Sequence, residues 1–197
     1  MTAANILAIG GGKGGVGKSF VTSGLATALA ASGKETLLID LDLGAANLHT
    51  IFGIKTTDRG IGDFLYAPHS NDLLDYSIET GVPRLKLVSG NGFIPGIANL
   101  TYQQKVKILR AIQRVRADVV LLDLGAGTSY NVVDFFSITE SGVIVTVAEP
   151  TAILNAYEFL KNVLFRILGQ RFKKNAAVMS AINDFKVNPG ESPSMTT

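Results

Sequence analysis

Gly12-Lys13-Gly14-Gly15-Val16-Gly17-Lys18-Ser19 satisfies the phosphate-binding pattern G-x-x-x-x-G-K-[ST] at every position. It lies between an apolar run, Ile6-Leu7-Ala8-Ile9, and a segment of helical periodicity from Phe20 to Ala31. Glycines let the backbone turn its N–H groups toward a polyphosphate, and the start of the following helix adds partial positive charge at the same point. In such a loop Lys18 is expected on the β- and γ-phosphates and the Ser19 hydroxyl on Mg²⁺.

Working outward, Ile6–Ile9 reads as a short strand buried on both faces. Val21, Leu25, Ala28 and Leu29 mark a helix closed by Gly33. Thr36-Leu37-Leu38-Ile39 is a second buried strand, ending on Asp40-Leu41-Asp42. Strand, helix and strand make a βαβ unit with parallel strands, and ligands in such sheets bind at the strands' carboxyl ends. If the strand continues, Asp40 and Asp42 point the same way, a carboxylate pair suited to Mg²⁺ coordination and to orienting an attacking water. Val119-Val120-Leu121-Leu122-Asp123 is a third apolar strand ending on an acid; Asp123 is expected to hold the Mg²⁺ shell. In Leu124-Gly125-Ala126-Gly127, glycine freedom would let an N–H approach a γ-phosphate, so Gly125 and Gly127 are candidate sensors.

At 197 residues, 47% hydrophobic and 17% charged, the chain is globular and long enough for a sizeable core. A net charge of +2 does not by itself argue for nucleic acid or an anionic membrane. The chain has no cysteine, which removes disulfides, thiol catalysis and cysteine-held iron–sulfur centres from this stretch. No apolar run approaches the roughly 20 residues that span a bilayer, and the N-terminus lacks a secretory signal pattern; a cytoplasmic protein is expected.

The remaining segments are less specific. Between Phe52 and Tyr76, Gly53, Gly60, Gly62 and Pro68 break the pattern, with a short helix expected over Ile61–Tyr66. Leu85–Val88 reads as a strand entering the turn Ser89-Gly90-Asn91-Gly92. Tyr102–Arg116 is expected as an amphipathic helix with an apolar stripe at Val106, Leu109 and Ile112, extended by Ile108 or Val115. Its five cations (Lys105, Lys107, Arg110, Arg114, Arg116) read as a solvated face more than as a surface for nucleic acid or an acidic partner. Gly142–Ala148 is expected as a buried strand, followed by a helix over 152–168 packing Ile153, Leu160, Val163, Leu164 and Ile167 on the sheet. Residues 1–180 are assigned to the nucleotide-binding domain, incomplete at its C-terminus, and 181–197 to an irregular tail or a truncated continuation of it. Ala176–Phe185 suits strand or helix.

The loop's second lysine, in Lys13-Gly-Gly-Val-Gly-Lys18-Ser19, resembles the deviant Walker A loop of the MinD/ParA family of ATPases. Asp40-Leu41-Asp42, the Walker B strand and Asp123-x-x-Ala126-Gly127 are similar to the family's switch segments. Glu149-Pro150-Thr151 resembles its FlhG-type and MRP-type branch. The resemblance spans residues 5 to about 165. It implies a slow, Mg-dependent ATPase cycling between ATP and ADP, with the nucleotide sandwiched in an ATP-dependent homodimer. In that setting Lys13 reaches the nucleotide of the other subunit, Asp42 positions or activates water, and Asp40 supports the metal shell. It also implies an unidentified protein partner and peripheral membrane association through regions outside this stretch. Phe20 stands where a threonine is common, at a position that contacts the α-phosphate, and Gly125 where many members carry proline. If Ala176–Phe185 is a strand, Asn183 resembles the family's adenine-facing asparagine. The alternatives are an MRP-type metal-cluster carrier, a DNA-partition ATPase, or a nucleotide-sensing scaffold without turnover.

Overall fold

Three strands carry the molecule: β1 (Asn5–Gly10), β2 (Thr36–Leu41) and β5 (Val119–Leu124). In the computed structural model, which describes residues 4–55, 59–67, 72–90 and 100–187, β5 lies between the other two. It pairs in parallel with β1 from Asn5↔Val119 to Ile9↔Asp123, and with β2 from Thr36↔Val119 to Leu41↔Leu124. With β3 (Ile78–Glu79), β4 (Leu85–Val88) and β6 (Ser141–Ile144), the sheet has six strands in the order β3-β4-β2-β5-β1-β6. All pairings are parallel except β3 with β4. The expected doubly wound, mostly parallel sheet is therefore the observed architecture, with β5 inserted between the two strands of the first βαβ unit.

Helices cover both faces. On one face α3 (Ile61–Tyr66), α4 (Tyr102–Ile112), α5 (Tyr130–Ser137) and α6 (Pro150–Arg171) pack on Ala8, Leu37, Ile39, Val120 and Leu122. On the other, α1 (Lys18–Ala31) and α2 (Leu48–Ile51) pack on Ile9, Leu38, Leu87 and Leu121. The period-two alternation between the two clusters follows from the pleat. Near β6 the floor is glycine. A Cβ at Gly10 would come within 2.8 Å of the Phe159 ring, and one at Gly142 within 2.4 Å of the Phe136 ring. These two rings stack edge to face, 5.0 Å apart.

Several expectations are corrected. The buried face of α1 is Thr22, Ser23, Ala26 and Ala30, not Val21, Leu25, Ala28 and Leu29. Small side chains bring that helix close to the sheet, and the leucines flank it. On α4, Ile108, Ala111 and Ile112 are buried, with Val115 just beyond the helix, while Val106 and Leu109 are only half-buried. Two of its five cations are not solvated: Lys105 pairs with buried Asp134, which also holds Arg166, and Lys107 donates to the carbonyls of Phe64, Leu65 and Ala67. The expected buried strand 142–148 is a short edge strand at Ser141–Ile144, half exposed. Its helix buries Ala152, Phe159 and Val163; Ile153, Leu160, Leu164 and Ile167 are exposed. Ala176–Val187 is helical (α7), so Asn183 is a helix residue and the adenine-facing reading falls. That helix continues through residue 187, the last of the described residues. Pro68, Asn91, Gly92 and the tail from 188 lie outside the described residues. Among the described residues no helix is long and apolar enough to cross a membrane.

Candidate nucleotide-binding site

The phosphate loop leaves the end of β1 and enters α1. Gly15 (φ 77°) and Gly17 (φ 94°) adopt the left-handed conformation, with Gly17 as the helix N-cap. An L side chain at either position would be strained, which is why the loop needs glycine there. Val16 is buried against the α1 face and anchors the loop. Lys18 is also buried, and its side chain runs over Gly11, where a Cβ would come 3.3 Å from Lys18 Cδ and 2.7 Å from the Val145 carbonyl oxygen. Gly12 is more confined still: a Cβ there would lie 1.9 Å from the carbonyl oxygen of Asn155. Helix α6 thus presses on the phosphate loop from the side. Gly14 faces the Ala126 methyl, and the Gly127 N–H donates to the Gly11 carbonyl at 3.1 Å.

Ser19 and Asp123 come together as expected. The Thr22 hydroxyl donates to the Asp123 carboxylate at 2.7 Å, and the Ser19 side chain is near enough to act on it electrostatically. Burial pushes the Asp123 carboxyl up, against the pull of those hydroxyls and of the Lys18 ammonium. Asp40 is the neighbour of Asp123 across the β2–β5 pairing. Its Oδ1 accepts from the Asp42 N–H at 3.1 Å and its Oδ2 from the Leu48 N–H at 3.2 Å. Burial, with the Asp123 charge beside it, raises its pKa to about 7. Strand β2 stops at Leu41, so the shared direction expected for Asp40 and Asp42 does not arise from strand alternation. Asp42 lies past the strand end, its Oδ1 3.2 Å from where a Gly125 Cβ would stand; glycine leaves room for that carboxylate.

The donor set fits Mg²⁺. The neighbouring Ser19 hydroxyl and Asp123 carboxylate would supply one or two protein ligands, and magnesium leaves its other positions to phosphates and water. Among the described residues no group of three acidic or imidazole side chains forms a protein-only cage.

Lys13 takes a place that its neighbours in the sequence do not predict. Its ammonium lies 3.0 Å from Glu149 Oε2 and 3.4 Å from Thr151 Oγ1, at the start of α6 of the same chain. Phe20, directly after Ser19 in the first turn of α1, is 78% exposed. Sequence reasoning missed Gly10, Gly11 and Thr22. It quoted Glu149 and Thr151 without giving either a role, although the Glu-Pro-Thr stretch was the available signal.

Comparison with known proteins follows this geometry. Residues 7–182 match the CobQ/CobB/MinD/ParA nucleotide-binding domain. The chain is 32% identical over 158 residues to the antiactivator FleN of Pseudomonas aeruginosa, covering 79% of this chain and 55% of FleN. It is 33% identical over 162 residues to the flagellum site-determining protein YlxH of Helicobacter pylori, covering 79% and 52%. The chain thus spans about half the length of these curated relatives. Among solved structures, the septum site-determining protein MinD of Pyrococcus horikoshii, complexed with Mg-ADP, superposes with a TM-score of 0.70 at 24% identity, covering 83% of this chain and 65% of that one. MinD of Pyrococcus furiosus gives 0.70 at 25% identity, covering 83% and 67%. From its phosphate loop to the strand ends around it, the chain belongs to the CobQ/CobB/MinD/ParA nucleotide-binding family.

Proposed function

We propose that the chain is an FlhG-like, Mg-dependent ATPase whose bound nucleotide switches it between monomer and homodimer and so positions or regulates a protein partner. The observation that carries this reading is the convergence of Lys18, Ser19, Asp123 and Asp42 around one glycine loop, with Lys13 half-buried at its rim. FleN, named an antiactivator, and YlxH, named for determining the flagellum site, support the cellular role, and the Mg-ADP complex of a MinD supports the ligand.

The loop's N–H groups and Lys18 bind and orient the β- and γ-phosphates. Ser19 and Asp123 hold magnesium, which offsets phosphate charge when bound. Asp42, free of the strand and beside Gly125, orients the attacking water toward the γ-phosphate. Asp40 acts at one remove: its two backbone acceptances fix the chain on which Asp42 rides. Gly127, tied to the Gly11 carbonyl, reports loss of the γ-phosphate to α5. Lys13 leaves Glu149 for the nucleotide of the second subunit. That exchange is easy, because a surface ion pair contributes only about 0–1 kcal/mol.

Light scattering without nucleotide, with ADP and with Mg-ATP tests the switch, alongside Lys13→Ala and Asp42→Ala. The expected result is a dimer with Mg-ATP alone, longer-lived in Asp42→Ala and absent in Lys13→Ala. Equal phosphate release by wild type and Asp42→Ala would sink the hydrolysis step and leave a nucleotide-binding scaffold.

A further inference from the structure

Helices α5, α6 and α7 border a cavity of about 520 Å³ that the phosphate loop does not use, within the size range of small-ligand sites. One end is an open ring. Tyr130, the first residue of α5, is 78% exposed, and the Arg166 guanidinium lies 6.0 Å from its ring centre. The Arg166 Nε is committed to Asp134, which also holds Lys105, so the guanidinium is fixed in place behind the ring. The other end is a free charge. Lys173 is exposed in the turn after α6, seven residues from Arg166 and therefore about 10 Å farther along the helix direction. Among the described residues no carboxylate pairs with it, and none lines the cavity. Met179 adds an apolar wall, and Thr128 and Asn162 add a hydroxyl and an amide.

We propose that this cavity binds a nucleoside monophosphate as an effector, separate from the nucleotide on the phosphate loop. An exposed ring backed by a guanidinium is a platform on which a base stacks. The Lys173 ammonium then answers the phosphate as a point charge. A compact anion would meet Lys173 and leave the Tyr130 platform empty, while an uncharged ring would stack and leave Lys173 unanswered. Only a ligand that holds a planar ring and an anion apart from each other uses both ends. A single phosphate suffices, because one ammonium is free and no run of glycines lines the cavity to wrap a polyphosphate. The effect reaches the switch through Thr128, which follows Gly127, whose N–H donates to the Gly11 carbonyl of the phosphate loop. The cavity shares no residue with that loop, so its failure leaves the ATPase reading untouched.

The probe is AMP carrying a fluorescent N-methylanthraniloyl group on its ribose, read by anisotropy on the full chain. Saturable binding is expected in wild type and in Lys18→Ala, which disables the phosphate loop. It should weaken about tenfold in Tyr130→Ala and in Lys173→Glu, and persist in Tyr130→Phe, which keeps the ring, all at unchanged melting temperature. Unlabelled AMP should displace the probe, with adenosine and inorganic phosphate about tenfold less effective. Loss of binding in Lys18→Ala would overturn the proposal by placing the probe on the phosphate loop. Displacement by phosphate as good as by AMP would leave a plain anion site, and displacement by adenosine as good as by AMP a plain apolar one; either overturns it. A short single-stranded DNA that binds more tightly than AMP and is lost in the same variants would overturn it in favour of nucleic acid, and no saturation at millimolar probe would overturn it outright.

Discussion

The centre of the sheet's parallel core and its β6 edge lie in different environments. At the centre, β2 is buried along its whole length, and β5 in all but its first residue. At the β6 side, Ser141 and Gly142 are exposed and Val143 and Ile144 half-buried, and the covering helix α6 turns Ile153, Leu154, Tyr157, Leu160 and Leu164 outward. Helix α6 nonetheless touches the phosphate loop, through Asn155 against Gly12 and through Glu149 on Lys13. The difference teaches that apolar content does not locate the site. The buried centre carries the acids that end β2 and β5, while the open side carries a helix that meets the phosphate loop from outside the core. Large exposed apolar faces mark surfaces that something covers.

Breaking the contact between the two regions should have the largest effect on nucleotide binding. In Gly12→Val the new side chain collides with the Asn155 backbone, so the loop or α6 must shift. Overpacking of this kind costs about 3 kcal/mol, and fluorescent ATP binding should be lost along with a drop in melting temperature. Next comes the buried face of α6. Phe159→Ala empties a site against Gly10 and Phe136 and should cost about 3–4 kcal/mol in denaturant unfolding.

Asp134→Ala tests the clamp joining α4, α5 and α6, since it leaves Lys105 and Arg166 without their shared carboxylate. Removing one partner of a buried pair is strongly destabilising; with Arg166 partly exposed, about 2 kcal/mol is expected by urea titration. Asp40 sharpens the central region through pH. Its carboxyl binds a proton in the folded chain up to about pH 7 but releases it near the ordinary value of 3.8 when unfolded. Between those values the folded state holds the extra proton, so this contribution to stability falls as pH rises from about 4 to about 7. Melting curves of wild type and Asp40→Asn across that window should converge or cross, the variant having the flatter profile; parallel profiles would refute the shift. At the bottom of the scale, Leu160→Ala, one residue from Phe159 but exposed, should stay within about 0.5 kcal/mol of wild type.

Much of this was legible without coordinates. The glycine spacing demanded a phosphate loop because only glycine tolerates the Gly15 and Gly17 backbone, and β2 and β5 announced themselves as continuous apolar runs closed by acids. The register that sets Asp40 beside Asp123 was not legible, because strand neighbours are chosen by chain crossovers rather than by local pattern. Nor was the buried face of α6. Its apolar residues occur nearly all round the helix, so periodicity could not tell Phe159 and Val163 from Leu160 and Leu164. Likewise on α1, the residues that meet the sheet are Thr22, Ser23 and Ala26, chosen for size rather than hydrophobicity.

Local sequence dictated the phosphate-loop pattern, which acids end which strands, and the family to which the chain belongs. Local backbone demands and strand-length apolar runs are properties of neighbours in the chain. Only the tertiary structure decided which distant groups meet. It set Asn155 against Gly12, Glu149 on Lys13, Thr22 on Asp123 and Arg166 on Asp134, because each of those contacts depends on how a helix is laid against the sheet.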